Sequence, residues 1–193
     1  INKLSMTEYE LTVNYSNEEA NTSEVIKVIP ASATSIYDYA GNAASVTQDD
    51  TNNNVSLYDT TKPTVTNITS TIDNGSYNDT DTIPIQIEFS ENVTVTGTPQ
   101  LTLNINGSGH TIDYTSGSGS NTLVFNYQVL DGHNETDLDY QNTTALTGTI
   151  KDTAPNTNIA TLTLPSPGAT NSLGANKDII IDTTHPNVTN VTS

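Results

Sequence analysis

Asp137 and Asp139 stand two residues apart in the most acidic stretch of the chain, Asp131-Gly-His-Asn-Glu-Thr-Asp-Leu-Asp139. On an extended strand that spacing puts both carboxylates on the same side. Calcium takes about six to eight oxygens from carboxylates, carbonyls and water. The Asp-x-Asp pair together with Asp59 or Asp182 could supply part of such a shell, and Glu91, at the end of an expected strand, is a further candidate. The metal-ligand candidates are therefore Asp59, Glu91, Asp137, Asp139 and Asp182, with Ca2+ as the implied ion. The same stretch also reads as a solvated acidic loop, and its spacing does not fit the EF-hand loop.

Other polar groups point to turns rather than to chemistry. Asp73-Asn-Gly-Ser-Tyr-Asn-Asp-Thr-Asp81 has the composition of a turn, with calcium as the less favoured alternative. Asp38 and Asp152 each precede an Asn-containing turn and are expected to accept its backbone N–H groups. The three histidines, 110, 133 and 185, are scattered, and there is no cysteine, so no zinc site is expected. No Gly-x-Ser-x-Gly elbow, phosphate loop or dinucleotide fingerprint is present, so no catalytic residue is assigned.

These residues must be positioned by strands. Ile83, Ile85, Ile87 and Phe89 alternate with polar neighbours, as do Leu101, Leu103 and Ile105, and Leu123, Phe125, Tyr127 and Val129. A period of two gives one buried and one wet face. Asn106-Gly-Ser-Gly109 and Gly117-Ser-Gly-Ser120 are turn signals between these runs. Further strands are expected near 63–69, 91–96, 111–115, 145–150, 159–164 and 178–182, and no helical period is apparent. Pro84 cannot donate to a ladder, which places its strand at an edge or a bulge. Short strands with frequent turns predict an all-β sandwich.

The organisation is repetitive. Asp59-Thr-Thr-Lys-Pro-Thr-Val-Thr-Asn-Ile-Thr-Ser70 returns as Asp182-Thr-Thr-His-Pro-Asn-Val-Thr-Asn-Val-Thr-Ser193, with nine of twelve residues identical at an offset of 123. A period of that length means one domain per repeat. Residues 59–181 are expected to form a complete repeat, 1–58 the C-terminal part of a preceding one, and 182–193 the first strand of a following one. Tandem arrays gain reach and multivalency, which favours a structural or adhesive role over catalysis.

Composition limits the partners. Five Lys, no Arg and 22 acidic residues give a net charge of −17. Phosphate contacts need basic side chains, so nucleic acid is excluded as a natural partner. An anionic membrane surface repels such a chain, and no apolar run is long enough to span a bilayer. Twelve Asn-x-Ser/Thr sequons suit an exposed protein, although Thr-rich strands beside Asn-rich turns generate them anyway.

Phe89-Ser-Glu-Asn-Val-Thr-Val-Thr-Gly-Thr-Pro-Gln-Leu-Thr-Leu103, Tyr114-Thr-Ser-Gly-Ser-Gly-Ser-Asn-Thr-Leu123, Asp137-Leu-Asp-Tyr140 and Ser172-Leu-Gly-Ala-Asn-Lys177 resemble the Ig-like repeats of very large bacterial surface proteins and adhesins. The likeness covers 59–193, and more weakly 1–58 through Asp38-Tyr-Ala-Gly-Asn42. It departs at Lys151-Asp-Thr-Ala-Pro-Asn156, where the family usually has Gly before the Asn. The resemblance implies an Ig-like β-sandwich of Greek-key type, extracellular or at the cell surface, often stiffened by calcium and strung in series. It implies a non-enzymatic spacer that extends an adhesin, layer or filament, with neighbouring repeats or copies of itself as partners. Two alternatives stand beside it. One is a filament subunit completed by strands exchanged between chains. The other is a carbohydrate-binding module contacting host or surface glycans through Tyr37, Tyr39, Tyr58, Tyr77 or Tyr140.

Overall fold

A computed structural model describes residues 2–3, 9–10, 24–26, 37, 40–43, 55–57, 59–153 and 158–192. It divides the chain into two compact units, Ile1–Thr61 with Ala154–Asn156, and Lys62–Thr153 with Thr157–Ser193. In the first unit β1 (Asn2–Lys3) pairs with β2 (Tyr9–Glu10), and β3 (Glu24–Ile26) pairs with β4 (Val55–Leu57), both antiparallel. Asp38, Tyr39, Tyr58 and Pro155 lie outside the described residues.

The second unit is all-β and sandwich-like. Its larger sheet contains β5 (Val65–Ser70), β7 (Thr82–Ile105), β8 (Ser108–Ser116), β9 (Ser120–Gln128) and β11 (Leu146–Asp152). The smaller sheet has the order β10 (Asn134–Glu135), β12 (Ile179–Asp182), β6 (Gly75–Tyr77). Among the named strands every pairing is antiparallel except β12 with β6. Residues of both sheets share one core, in which Ile179 and Ile181 join Ile85, Phe125 and Leu103.

The predicted alternation decides which side chains fill that core. Ile83, Ile85, Ile87 and Phe89 are buried while Thr82, Pro84, Gln86 and Glu88 are not. Register then stacks Ile83 on Tyr127, Ile85 on Phe125 and Ile87 on Leu123 across β7 and β9. Each such side chain contributes about 1.5–3 kcal/mol on burial, and cross-strand pairing of this kind fixes the register. Asn106 and Gly107 both take positive φ, 54° and 72°, closing β7 onto β8 as a two-residue hairpin in which Ile105 faces Ser108. Primed turns of this hand match the strand twist, which is why Asn-Gly is a strong hairpin signal.

Five expectations need correction. The runs at 82–89, 91–96 and 101–105 are one continuous strand, β7, whose first half lies between β5 and β9 and whose second half meets β11 and β8. Residues 159–164 form only isolated bridges, Ile159 to Lys151 and Thr161 to Thr64. A one-turn helix, α1 (Leu173–Asn176), is present, capped by the Ser172 hydroxyl accepting from Ala175 N–H at 3.2 Å. Residues 183–192 contain no strand. Pro84 is tolerated although its strand is interior, because it sits one residue beyond the end of the β5 pairing. The β5 register stops at Ser70–Ile85, and the Asn126 N–H opposite Pro84 turns away to Thr115 Oγ1. No ladder bond therefore needs the missing proline N–H.

Candidate functional site

Leu138 is fully buried, and its N–H donates to the Ile179 carbonyl at 2.8 Å. Asp137 and Asp139 flank that anchor beyond the end of β10, in no strand, and their carboxylates approach one another there. Their meeting point is Gly174 in α1. A Cβ added there would lie 3.0 Å from an oxygen of each carboxylate, so a larger residue would push one or both carboxylates aside by a few tenths of an ångström. Asp139 is held firmly: its Oδ1 accepts from Tyr140 N–H and its Oδ2 from Gly168 N–H, both at 2.9 Å. Asp137 carries the electrostatic strain. Burial, and then the charges of Asp139 and Asp178, push its carboxyl above the usual range. An open groove lined by Asn74, Asp137, Lys177 and Asp178 adjoins the pair. Lys177 also lines the groove, and its Nζ donates to the Ile72 carbonyl at 2.7 Å.

The third carboxylate beside this pair is thus Asp178, which the sequence reading did not select. Asp182 sits instead at the far end of β12, opposite Asn134, with Oδ1 accepting from Thr184 N–H at 2.9 Å. Asp59, in the first unit, makes the corresponding bond: its Oδ1 accepts from Thr61 N–H at 2.8 Å. Glu91 lies within β7, not after a strand end, and brings a carboxylate oxygen within 4.8 Å of one from Asp152. Asp152 is fully buried and holds its turn as expected, accepting from the Asn158 backbone N–H at 3.0 Å and from the Asn158 side-chain amide at 2.7 Å.

The Asp73–Asp81 loop is a network of turn bonds. Asp81 Oδ2 accepts from Asn78 N–H, Asn78 Oδ1 accepts from Thr80 N–H, and Tyr77 OH donates to the Asp73 carbonyl. Among the loop tyrosines, Tyr140 is buried with its hydroxyl donating to the Pro165 carbonyl, Tyr77 is half-buried, and Tyr37 is exposed.

Folding also gathers a cluster that spacing concealed. His110 on β8 and His133 in the turn before β10 place their ring centroids 4.7 Å apart. Tyr127 from β9 joins them, its hydroxyl 2.7 Å from His133 Nδ1. The expectation of scattered histidines holds only for His185. Twenty-two residues of intervening chain, most of them in β8 and β9, hide the pair from any reading by sequence distance.

No family model matches this chain, and neither does any curated protein or solved structure. No helix among the described residues is long and apolar enough to cross a membrane. Carboxylate oxygens of the kind that Asp137, Asp139 and Asp178 present are the ligand type a hard cation would use.

Proposed function

We propose that this chain is a segment of a non-enzymatic, extracellular array of Ig-like β-sandwich modules of Greek-key type. Its work is mechanical, extending a bacterial surface adhesin, layer or filament. The observation that carries this reading is the recurring twelve-residue phrase, whose two aspartates make matching turns, Asp59 to Thr61 and Asp182 to Thr184. Identical local chemistry at a domain-length period is what a serial joint requires. Pro63 and Pro186 follow these turns and limit bending there.

Calcium is the proposed stiffener. A divalent ion at Asp137, Asp139 and Asp178, or at Glu91 and Asp152, relieves the repulsion between neighbouring carboxylates. Asp59 and Asp182 remain junction candidates for the same ion. The test is a thermal melt of the chain in calcium and in excess chelator. A calcium-dependent rise in melting temperature that Asp137→Asn or Glu91→Gln reduces is expected. Superimposable melts would remove calcium from the proposal.

A second reading, strand exchange between chains, is favoured by Val188 and Val191, which are 84% and 85% exposed within the repeated phrase. Size-exclusion chromatography over a range of concentrations separates the two. A constant monomer supports the spacer, and concentration-dependent polymers support exchange. Glycan binding has less support, since Tyr140 gives its ring to the core and its hydroxyl to Pro165.

A further inference from the structure

We infer that His110 and His133 form a two-imidazole site for a divalent cation of the zinc, nickel and copper class. The proposal is independent of calcium, because hard cations select oxygen whereas imidazole suits late first-row metals. The argument begins with separation. Two imidazoles that each give one nitrogen to one ion, with bonds of about 2.0–2.1 Å, hold their ring centres roughly 4.5–5.5 Å apart. The observed centroid distance is 4.7 Å, with the rings inclined at 73°.

Orientation supports the same reading. His133 Nδ1 is engaged by the Tyr127 hydroxyl, which leaves Nε2 as the nitrogen free to ligate. Either tautomer keeps that bond: Tyr127 donates to a bare Nδ1, or a protonated Nδ1 donates to the phenol oxygen when a metal occupies Nε2. A partner of this kind on the second nitrogen is the usual support of a metal-bound histidine. The His133 backbone is also clamped, its N–H donating to the Leu130 carbonyl and its carbonyl accepting from Thr183 Oγ1 at 3.1 Å. His110 is carried by the β7–β8 ladder opposite Leu103. The ligands are therefore pre-positioned, so binding costs little ordering.

Charge and protonation agree. Neutral imidazole is the form that ligates late first-row metals, and among the described residues neither His110 nor His133 has a lysine in its ring or hydrogen-bond contacts. Glu135 lies close enough to reinforce the upward shift of the buried Tyr127 phenol to about 12, so an acidic side chain adds attraction for a cation. Water completes the coordination sphere.

The decisive experiment adds zinc chloride to the full chain at pH 7.5, with calcium present to occupy carboxylates, and follows the imidazole C–H signals by NMR. The signals of His110 and His133 should shift or broaden together with saturation at one ion per chain, while His185 stays unchanged as an internal control. Calorimetric titration should show His110→Ala weakening zinc binding at least about tenfold, and Tyr127→Phe weakening it by about tenfold, as loss of an outer-shell partner does. Nickel chloride should reproduce the pattern. Equal responses from all three histidines, no response, or zinc binding unaffected by His110→Ala would overturn the site. Because the NMR readout uses the unsubstituted chain, it decides the question even if a variant fails to fold.

Discussion

One phrase occupies two environments in this molecule. In residues 63–70 it supplies β5, where Val65 packs against the core and Ile68 is fully buried opposite Ile87. In residues 186–193 the equivalent Val188 and Val191 are 84% and 85% exposed, and no strand forms among the described residues. The chemistry of the two segments is nearly the same, and so are their entry turns at Asp59 and Asp182. The difference is the edge that meets them. The first copy has β7 on one side, while α1 and its flanks cover the other, through Ile68 N–H to the Asn171 carbonyl and Asn176 Nδ2 to the Ile68 carbonyl. A strand sequence therefore sets an alternation but not a strand, because the ladder needs a partner for every N–H and C=O.

The sharpest way to break this comparison is to truncate the equivalent apolar side chains. Ile68→Ala should cost the second unit about 2–5 kcal/mol in urea denaturation, whereas Val191→Ala should change stability by no more than about 0.5 kcal/mol. Similar losses at both positions would mean that the second copy is buried in solution.

A smaller effect is expected where the second copy departs from the sandwich. Thr183 is buried, and its hydroxyl accepts from Gly132 N–H and donates to the His133 carbonyl. Thr183→Val keeps the shape and removes both bonds, with an expected loss of about 1–3 kcal/mol from the unpaired groups. If chemical denaturation shows no loss, the exit from β12 is not fixed by this clasp.

The cover over β5 can be probed through Asn176→Ala, which removes the amide bonded to both Ile68 O and Asn67 Oδ1 at 2.7 Å. A cost of about 0.5–1.5 kcal/mol is expected, accompanied by faster amide exchange in 65–70 and none in 186–192. The smallest change should come from Asp182→Ala, about 0.5 kcal/mol or less for an exposed turn bond. Its turn should loosen by NMR while the β12 ladder survives.

Much of the fold was legible because burial of one face imposes a period of two. Ile83 to Phe89 and Leu123 to Val129 read directly as core, and Asn106-Gly107 as a hairpin. The continuity of β7 was not legible, since Ser90 to Pro99 look like a break but are bridged by β11 and the 120 end of β9. The Asp137–Asp139 pair was legible from its close spacing, although no strand carries it. Its third neighbour was not, because Asp178 arrives from a distant segment of the chain, brought in beside the pair by the Leu138–Ile179 bond and the β10–β12 ladder.

The sequence by itself determined the alternating faces, the turn at Asn106, the acidic charge and the phrase that recurs after 123 residues. These are local or additive properties, set by neighbours one or two positions away. Tertiary structure decided which copy of that phrase became a strand, which carboxylate joined Asp137, and that His110 would meet His133. Each of those outcomes depends on strand register, which brings distant residues together through hydrogen bonds that every sequence can make and only the packed core selects.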